Sequence, residues 1–403
     1  MNVHEVLQLV QLRRFEPDSV QRLLNRVHVA DDFRAVARRR LPRAVFDYVD
    51  GGADEEITLT ANRAAWAARR LHPRLLRDVS VTDLSGSVLG QRFALPIGLA
   101  PTGYTRMMHP TGEVSAALAA KAAGVPYTLS TVATTSIEEV AATGHPNLWF
   151  QLYLTTNPRL SDPLIDRASA AGYTALEVTI DTAVTGRRVR DARNGLNIPP
   201  QLSLGTIADI ARHPGYWTRM LRSPAIGFAN FAALSPQELA SASSTQVGGL
   251  FDSSLNWSHV ESVRARWHGP LLLKGPIGPD DAQRALDLGV DGFHVSNHGG
   301  RQLDRCVPTA SLVAPLRAAV GASVPIVVDS GVHCGGDVAV ALALGADMAF
   351  VGRSYVYAVA AAGERGVAHL LSLLAAELQS VMQLCGVTTL PQLRANGLEL
   401  LAE

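Results

Sequence analysis

Ten residues, Val295 to Asp304 (VSNHGGRQLD), hold a histidine, two glycines, an arginine and an aspartate within seven positions. A packed core has no use for that mixture, and an active site does. His298 can move a proton near neutral pH. Arg301 can grip a carboxylate with its planar fork of donors. Gly299 and Gly300 let a ligand approach the backbone. The alternative for His298 is a satisfied core histidine, and the adjoining Gly-Gly-Arg favours chemistry. The preceding run, GFHVS, reads as a buried strand, so these groups stand at a strand end.

A second signal is compositional. Lys121 and Lys274 are the only lysines, and the other basic side chains are arginines. Lys274 closes the apolar run PLLLKG. A lysine kept at a strand end suits an electron-rich ring or an anion better than a snorkelling surface role.

The elements that must position these groups form a repeating pattern. Apolar runs at 95–102, 125–131, 147–153, 175–181, 270–275, 292–297, 325–330 and 348–353 read as strands. Helical patterns follow, among them HPTGEVSAALAAKAAG, SIEEVAATG with its Ser-x-x-Glu capping box, SDPLIDRASAAG, GPDDAQRALDLG, TASLVAPLRAAVG, GGDVAVALALGA and GVAHLLSLLAAELQSVMQLCG. Continuous apolar strands alternating with helices predict a parallel sheet covered by helices. Eight such units predict an α/β fold, a closed (β/α)8 TIM barrel. An open doubly wound sheet is the runner-up. It is disfavoured because polar residues end every strand and not only those near one switch point.

The expected division is an N-terminal helical and short-β lid over 1–94, the barrel over 95–390, and a C-terminal tail over 391–403. In the lid, Asp31 and Asp32 resemble an N-cap to one helix, FRAVARRRLPRAVFDYV, which Gly51-Gly52 stops. Residues 189–265 interrupt the barrel after the fourth strand, with Pro, Ser and Gly punctuation and no clean period. They are too long for an ordinary βα loop. Within them, 205–222 is basic and aromatic. One reading is contact with a membrane surface or partner; the preferred reading is a helical segment packed over the barrel mouth.

In a barrel of this kind the site lies at the C-terminal strand ends. Those ends carry Thr102-Gly103, Ser130, Gln151 and Tyr153, Thr179 and Asp181, Lys274, His298, Asp329, and Gly352-Arg353. Asp181 reads equally as a cap for the next helix and as the support of a His298 imidazolium. Arg187 and Arg188 read as a solvated charge run or as anion binders. Glycines after strands seven and eight fit a phosphate site. Together these residues suggest a phosphate-bearing cofactor, a base and an anionic substrate. The histidines and cysteines lack metal-ligand spacing.

Composition excludes several other classes. Thirty-six basic side chains balance thirty-six acidic ones, which argues against nucleic acid as a partner, because phosphate binding needs a basic surplus. Three cysteines without CxxC spacing suggest a reducing compartment, the cytoplasm. The N-terminus lacks signal-peptide features, and no apolar run reaches the roughly 18 residues of a membrane span.

With SNHGGRQLD at its centre, the chain resembles the FMN-dependent α-hydroxy acid oxidase/dehydrogenase family. FDYVDGGADEE, LAPTGYTRMMHPTGE, FQLY, TIDTAVTGRR, LKG and the strand-eight GR support the resemblance, which runs from about residue 33 to 390. The bacterial quinone- or cytochrome-linked L-lactate dehydrogenases are the most similar branch. The resemblance implies FMN and oxidation of an L-2-hydroxy acid such as lactate, with a quinone, cytochrome or oxygen as acceptor. It makes His298 the base, Asp181 its partner, and Arg301, Arg188 and Tyr48 the carboxylate clamp. Tyr153 steadies developing negative charge. Lys274 takes the flavin N1/O2 edge, Pro101, Thr102, Gly103, Ser130, Gln151 and Thr179 surround the ring, and Asp329, Ser330, Gly331, His333, Gly352 and Arg353 serve the ribityl and phosphate end. It also implies a homo-oligomer, often a tetramer, and leaves room for a site at the inner face of the membrane through 205–222.

Two positions depart from the family, and a third bears on the electron acceptor. Strand seven ends DSGVH, with His333 where an arginine is usual. Val132 stands where glycolate oxidase has tryptophan, which implies a roomier pocket. Gly103, alanine in many oxidases, leans toward a dehydrogenase. The competing readings are an oxygen-using oxidase that makes hydrogen peroxide, an FMN barrel isomerase, a Schiff-base lyase at Lys274, and a flavin-binding protein without turnover.

Overall fold

The computed structural model describes residues 15–195, 203–231 and 252–402; the N-terminal fourteen residues of the expected lid and parts of the 189–265 excursion lie outside them. Eight parallel strands close into a barrel. In chain order they are β1 (Ile97–Leu99), β2 (Tyr127–Ser130), β3 (Leu148–Leu152), β4 (Ala175–Thr179), β5 (Leu271–Gly275), β6 (Gly292–Val295), β7 (Ile326–Val328) and β8 (Met348–Val351). β8 pairs with β1, with Val351 opposite Leu99, and this closes the ring. The helices that follow are α1 (Gly112–Ala123), α2 (Ile137–Ala141), α3 (Pro158–Ala170), α4 (Trp257–Arg266), α5 (Pro279–Asp287), α6 (Val313–Val320), α7 (Gly335–Ala343) and α8 (Arg353–Leu384). The fold is the (β/α)8 barrel that the alternating runs predict.

The apolar runs form strands because both of their faces are covered. Leu271, Leu272, Phe293, Ile326, Val327 and Phe350 are all fully buried. Each such side chain contributes about 1.5–3 kcal/mol by leaving water. Phe350 lies so close to β1 that a Cβ at Gly98 would collide with its ring, so only glycine fits there. The Ser136–Glu139 capping box opens α2 as expected.

α8 is long and apolar enough to cross a membrane by length and composition. It bends at Ala362-Gly363 and buries Val359, Val367, Leu370, Leu374 and Leu378. The segment beyond it returns to the N-terminal region, where Leu401–Ala402 pairs antiparallel with Arg70–Leu71.

The helix expected over 33–49 is two helices, Ala30–Arg40 and Arg43–Asp50. Pro42 disfavours helical geometry at Leu41 and cannot donate a backbone hydrogen bond, and Leu41 is extended, with ψ 143°. Asp31 and Asp32 lie inside the first turn rather than before it. Asp32 Oδ2 accepts from the His28 and Val29 amides. Gly51 ends the second helix.

The described parts of the excursion are largely helical despite their punctuation. Helices Leu204–Ala211 and Pro214–Met220 lie within it, and α4 ends it. Tyr216 is buried and its hydroxyl donates to the Met107 carbonyl at 2.9 Å. Arg106 reaches Ser223 and Pro224. These contacts tie the described part of the segment to the loop after β1.

Candidate active site

The strand ends converge on a cavity at the C-terminal mouth with about 880 Å³ of empty space, part of it open to solvent. Its wall contains Pro101, Thr102 and Gly103 after β1, Ser130 of β2, Gln151 and Tyr153 of and after β3, and Thr179 of β4. Lys274 of β5, His298 after β6, Asp329 and Ser330 after β7, and Gly352 and Arg353 after β8 complete the ring. Tyr48 and Arg188 reach the same cavity from the N-terminal helices and the start of the excursion, and Arg301 comes from the β6 loop.

The ends of β2, β3 and β4 make a polar belt. Ser130 Oγ donates to Gln151 Oε1 at 3.2 Å, and Gln151 Nε2 donates to Thr179 Oγ1 at 2.7 Å. Opposite them, the loops after β6 and β7 are stitched together by Ser330. Its hydroxyl accepts from the Asn297 and Gly299 amides and donates to Asp329 Oδ1 at 2.7 Å. These bonds hold His298 and Ser330 at φ 58° and 74°, a left-handed geometry unfavourable for side-chain-bearing residues.

His298 lies between two partners. Its Nδ1 is 3.4 Å from Asp181 Oδ1, and its Nε2 is 3.3 Å from the Tyr153 hydroxyl. Burial pushes the imidazole below the usual histidine value, against the opposing pull of Asp181. Asp181 does not line the cavity and stands behind the ring. Gln302 holds its backbone by donating to the Asp181 carbonyl at 3.0 Å. Burial raises the Tyr153 hydroxyl above its ordinary range.

The arginines form the other half. Arg301 Nη1 donates to the Tyr48 and Gly51 carbonyls at 2.7 and 3.0 Å. Arg353 donates to the Val49 and Gly51 carbonyls. Both therefore hold the open carbonyl end of helix Arg43–Asp50, where cations are favoured. The Tyr48 ring carries two guanidinium groups, with Arg301 at 5.2 Å and Arg188 at 5.9 Å from its centroid. Arg188 Nε is buried and has no hydrogen-bond partner among the described residues. Among the described residues none of Arg188, Arg301 and Arg353 pairs with a carboxylate. Burial, then Arg188, pull Arg301 down to about 10. Three cations packed together with donors to spare are built for an anion. Arg187 faces solvent, 82% exposed.

Some expected residues stand apart. Gly331 and His333 line a neighbouring cavity that shares Gly299 and Arg353 with the first. His333 Nδ1 lies 2.8 Å from Asp337, so its charge is already compensated by that carboxylate. Asp304, the last residue of VSNHGGRQLD, serves the fold instead. Its carboxylate accepts from the Glu55 and Thr58 amides and caps helix Ile57–Ala68. Gly103 has a packing reason of its own. A Cβ there would sit 2.6 Å from Val132 Cγ2 and 3.0 Å from the Val132 carbonyl.

Sequence reasoning missed Val49 and Ala100, which also line the cavity, and passed over Glu177 and His294. The last two carried a readable signal, a charged group inside each of the runs ALEVTID and GFHVSN.

Residues 37–400 match the family model described as FMN-dependent dehydrogenase. The chain is 40% identical over 375 residues to the L-lactate dehydrogenase of Stenotrophomonas maltophilia (strain R551-3), covering 92% of this chain and 98% of that one. It is 43% identical over 362 residues to the L-lactate dehydrogenase of Caulobacter vibrioides (strain NA1000 / CB15N), covering 88% and 93%. Among solved structures, the monotopic membrane protein (S)-mandelate dehydrogenase is similar with a TM-score of 0.88 at 35% identity, over 94% of this chain and 99% of that one. A mandelate oxidase is similar at 0.78 and 39%, over 91% and 97%.

Proposed function

The chain belongs to the FMN-dependent dehydrogenase family, and from that premise we propose that it oxidises an L-2-hydroxy acid, lactate foremost, to the 2-oxo acid. The electrons pass on to a quinone or cytochrome-type acceptor. The observation that carries this reading is the meeting of His298 with three arginines that have no carboxylate within ion-pair distance among the described residues. The two curated relatives named L-lactate dehydrogenase support lactate.

The cavity fits FMN. The Ser130–Gln151–Thr179 belt offers donors and acceptors to a flat polar ring edge. Lys274 adds a buried ammonium. Arg353, with Gly352 and Gly299, faces the end suited to a phosphate. When bound, FMN supplies the acceptor for the two electrons of the oxidation.

The chain's own residues do the rest. Arg188 and Arg301 clamp the substrate carboxylate, with Tyr48 between them. With Nδ1–H donating to Asp181, the imidazole lone pair lies on Nε2, the atom that faces Tyr153. His298 Nε2 takes the substrate's proton, and Asp181 stabilises the imidazolium that forms. The Tyr153 hydroxyl keeps its proton and donates to the oxygen where negative charge develops. Such preplaced donors in a dry site contribute several kcal/mol, on the order of 3 each.

The test is turnover of the FMN-loaded protein with L-lactate, glycolate and L-mandelate, using a soluble quinone or oxygen as acceptor. The highest kcat/KM should belong to L-lactate with quinone. Stoichiometric hydrogen peroxide with oxygen as the better acceptor would make it an oxidase. Bound FMN with no turnover would make it a binding protein.

A membrane surface is a second element of this reading. Ile207, Leu221 and Ile226 are exposed on the 205–226 segment beside Arg212 and Arg222, a mixture suited to an anionic lipid interface. Cosedimentation with anionic vesicles, lost in Leu221→Glu, is the expected result.

A further inference from the structure

From the cavity wall, Lys274 and Asp329 lead into the barrel interior, where two further charged groups, His294 and Glu177, take no part in the oxidation as described. Lys274 Nζ lies 2.9 Å from Asp329 Oδ2 and 2.6 Å from Ser296 Oγ. Asp329 Oδ2 also faces His294 Nε2 at 3.2 Å. On its other side His294 Nδ1 is 2.9 Å from Glu177 Oε1. His294 and Glu177 are fully buried. The ring of Phe350 packs on the imidazole at 4.9 Å, and Trp149 packs on Phe350.

Both ring nitrogens of His294 therefore meet carboxylate oxygens. A neutral imidazole has one acceptor nitrogen, which would place a lone pair against an anion. The imidazolium meets both carboxylates with an N–H group. Burial opposes that charge, while Glu177 and Asp329 hold the imidazole above its usual value. The contact with Asp329 lacks hydrogen-bond alignment, so it acts through charge.

We propose that His294, backed by Glu177, is a positioning residue that shares the charge of Asp329 and so leaves the Lys274 ammonium available to the bound cofactor. Two cations and two carboxylates balance in this chain of contacts. If His294 loses its charge, Asp329 falls wholly to Lys274, Glu177 is left uncompensated, and the net charge under the cavity becomes negative. A positive charge beside a flavin favours its reduced form, and a negative one disfavours it. The inference rests on FMN as the cofactor and adds what sets its readiness to accept electrons.

The test is the midpoint potential of the bound FMN, measured by spectroelectrochemistry, with FMN affinity measured alongside. His294→Gln should weaken the preference for reduced FMN at least tenfold, a fall of about 30 mV for a two-electron couple. His294→Gln with Glu177→Gln restores neutrality and should recover most of that loss, which a purely structural defect would not allow. A His294→Gln potential equivalent to less than a twofold change, or a double variant no better than the single, overturns the proposal. If the variants do not fold, 15N spectra of the twelve histidines in the unmodified holoenzyme decide it. One buried ring protonated on both nitrogens at pH 7.5 is expected, and its absence overturns the proposal. Failure of the unmodified protein to take up FMN would sink this inference and the cofactor assignment together. Bound FMN with an unmoved potential would sink this inference alone.

Discussion

The barrel mouth and the layer beneath it handle charge in opposite ways. At the mouth, Arg301 and Arg353 donate to backbone carbonyls, and Arg188 Nε is buried with no partner among the described residues. At the floor of the same cavity, Lys274 and Asp329, with His294 and Glu177 behind them, neutralise one another within 2.9–3.2 Å contacts. Cations held by carbonyls and by more distant carboxylates keep charge to spare and are relieved when an anion arrives. Compensated ones gain little from a ligand and act as a fixed field. The mouth is therefore the place for a substrate carboxylate, and the floor sets the surroundings of the ring above it.

Four outcomes would break or sharpen that contrast. The largest concerns the proton. His298→Ala should lower turnover by about 10²–10⁴-fold, the usual worth of a positioned base, with FMN still bound. Turnover close to that of the unmodified enzyme would remove His298 from its role.

Next is stability. Lys274→Met leaves Asp329 short of a partner in a buried site and should cost about 3–5 kcal/mol. Arg188→Met removes a cation that makes no direct ion pair among the described residues and should cost less, about 1 kcal/mol. Denaturant unfolding of the two variants compares them directly, and equal losses would erase the distinction between mouth and floor.

Smaller again is Arg301→Lys. A point charge cannot copy a bidentate fork, so KM should rise by roughly ten- to a hundredfold, as for the loss of one charged hydrogen bond. Steady-state kinetics with kcat little changed is the expected pattern.

The smallest effect is a shift along the pH axis. A base works only while neutral, and burial lowers the pKa of His298. Protonation therefore costs activity only as pH falls below the ordinary histidine value of about 6.5. The acid limb of kcat/KM should lie there. Asp181 opposes the lowering, so Asp181→Asn should move the limb to still lower pH; movement upward would contradict the assigned pair.

The strand ends were legible because parallel strands buried on both faces are written as apolar runs, and a polar residue ending such a run is conspicuous. Gln151, Lys274 and Arg353 are visible in that way. Arg188 could be told from Arg187 only through the family resemblance, because adjacent residues differ in direction rather than in type. The helix break at Leu41 was missed although Pro42 marks it, because the apolar spacing continues through it. The packing of Tyr216 on Met107 links residues more than a hundred positions apart, which no local pattern reveals. His294 and Glu177 look like interruptions of separate strands, and their partnership exists only once β4 and β6 curve around the same interior.

The most direct test of the central claim, that the unpaired arginines of the mouth read a carboxylate presented to His298, is anaerobic bleaching of the FMN-loaded enzyme. L-lactate and its neutral amide should be compared at equal concentration. Rapid bleaching by L-lactate is expected, with bleaching at least about tenfold slower by the amide, the worth of one charged hydrogen bond. Equal rates for the two, or no bleaching by any 2-hydroxy acid with FMN in place, would contradict that claim.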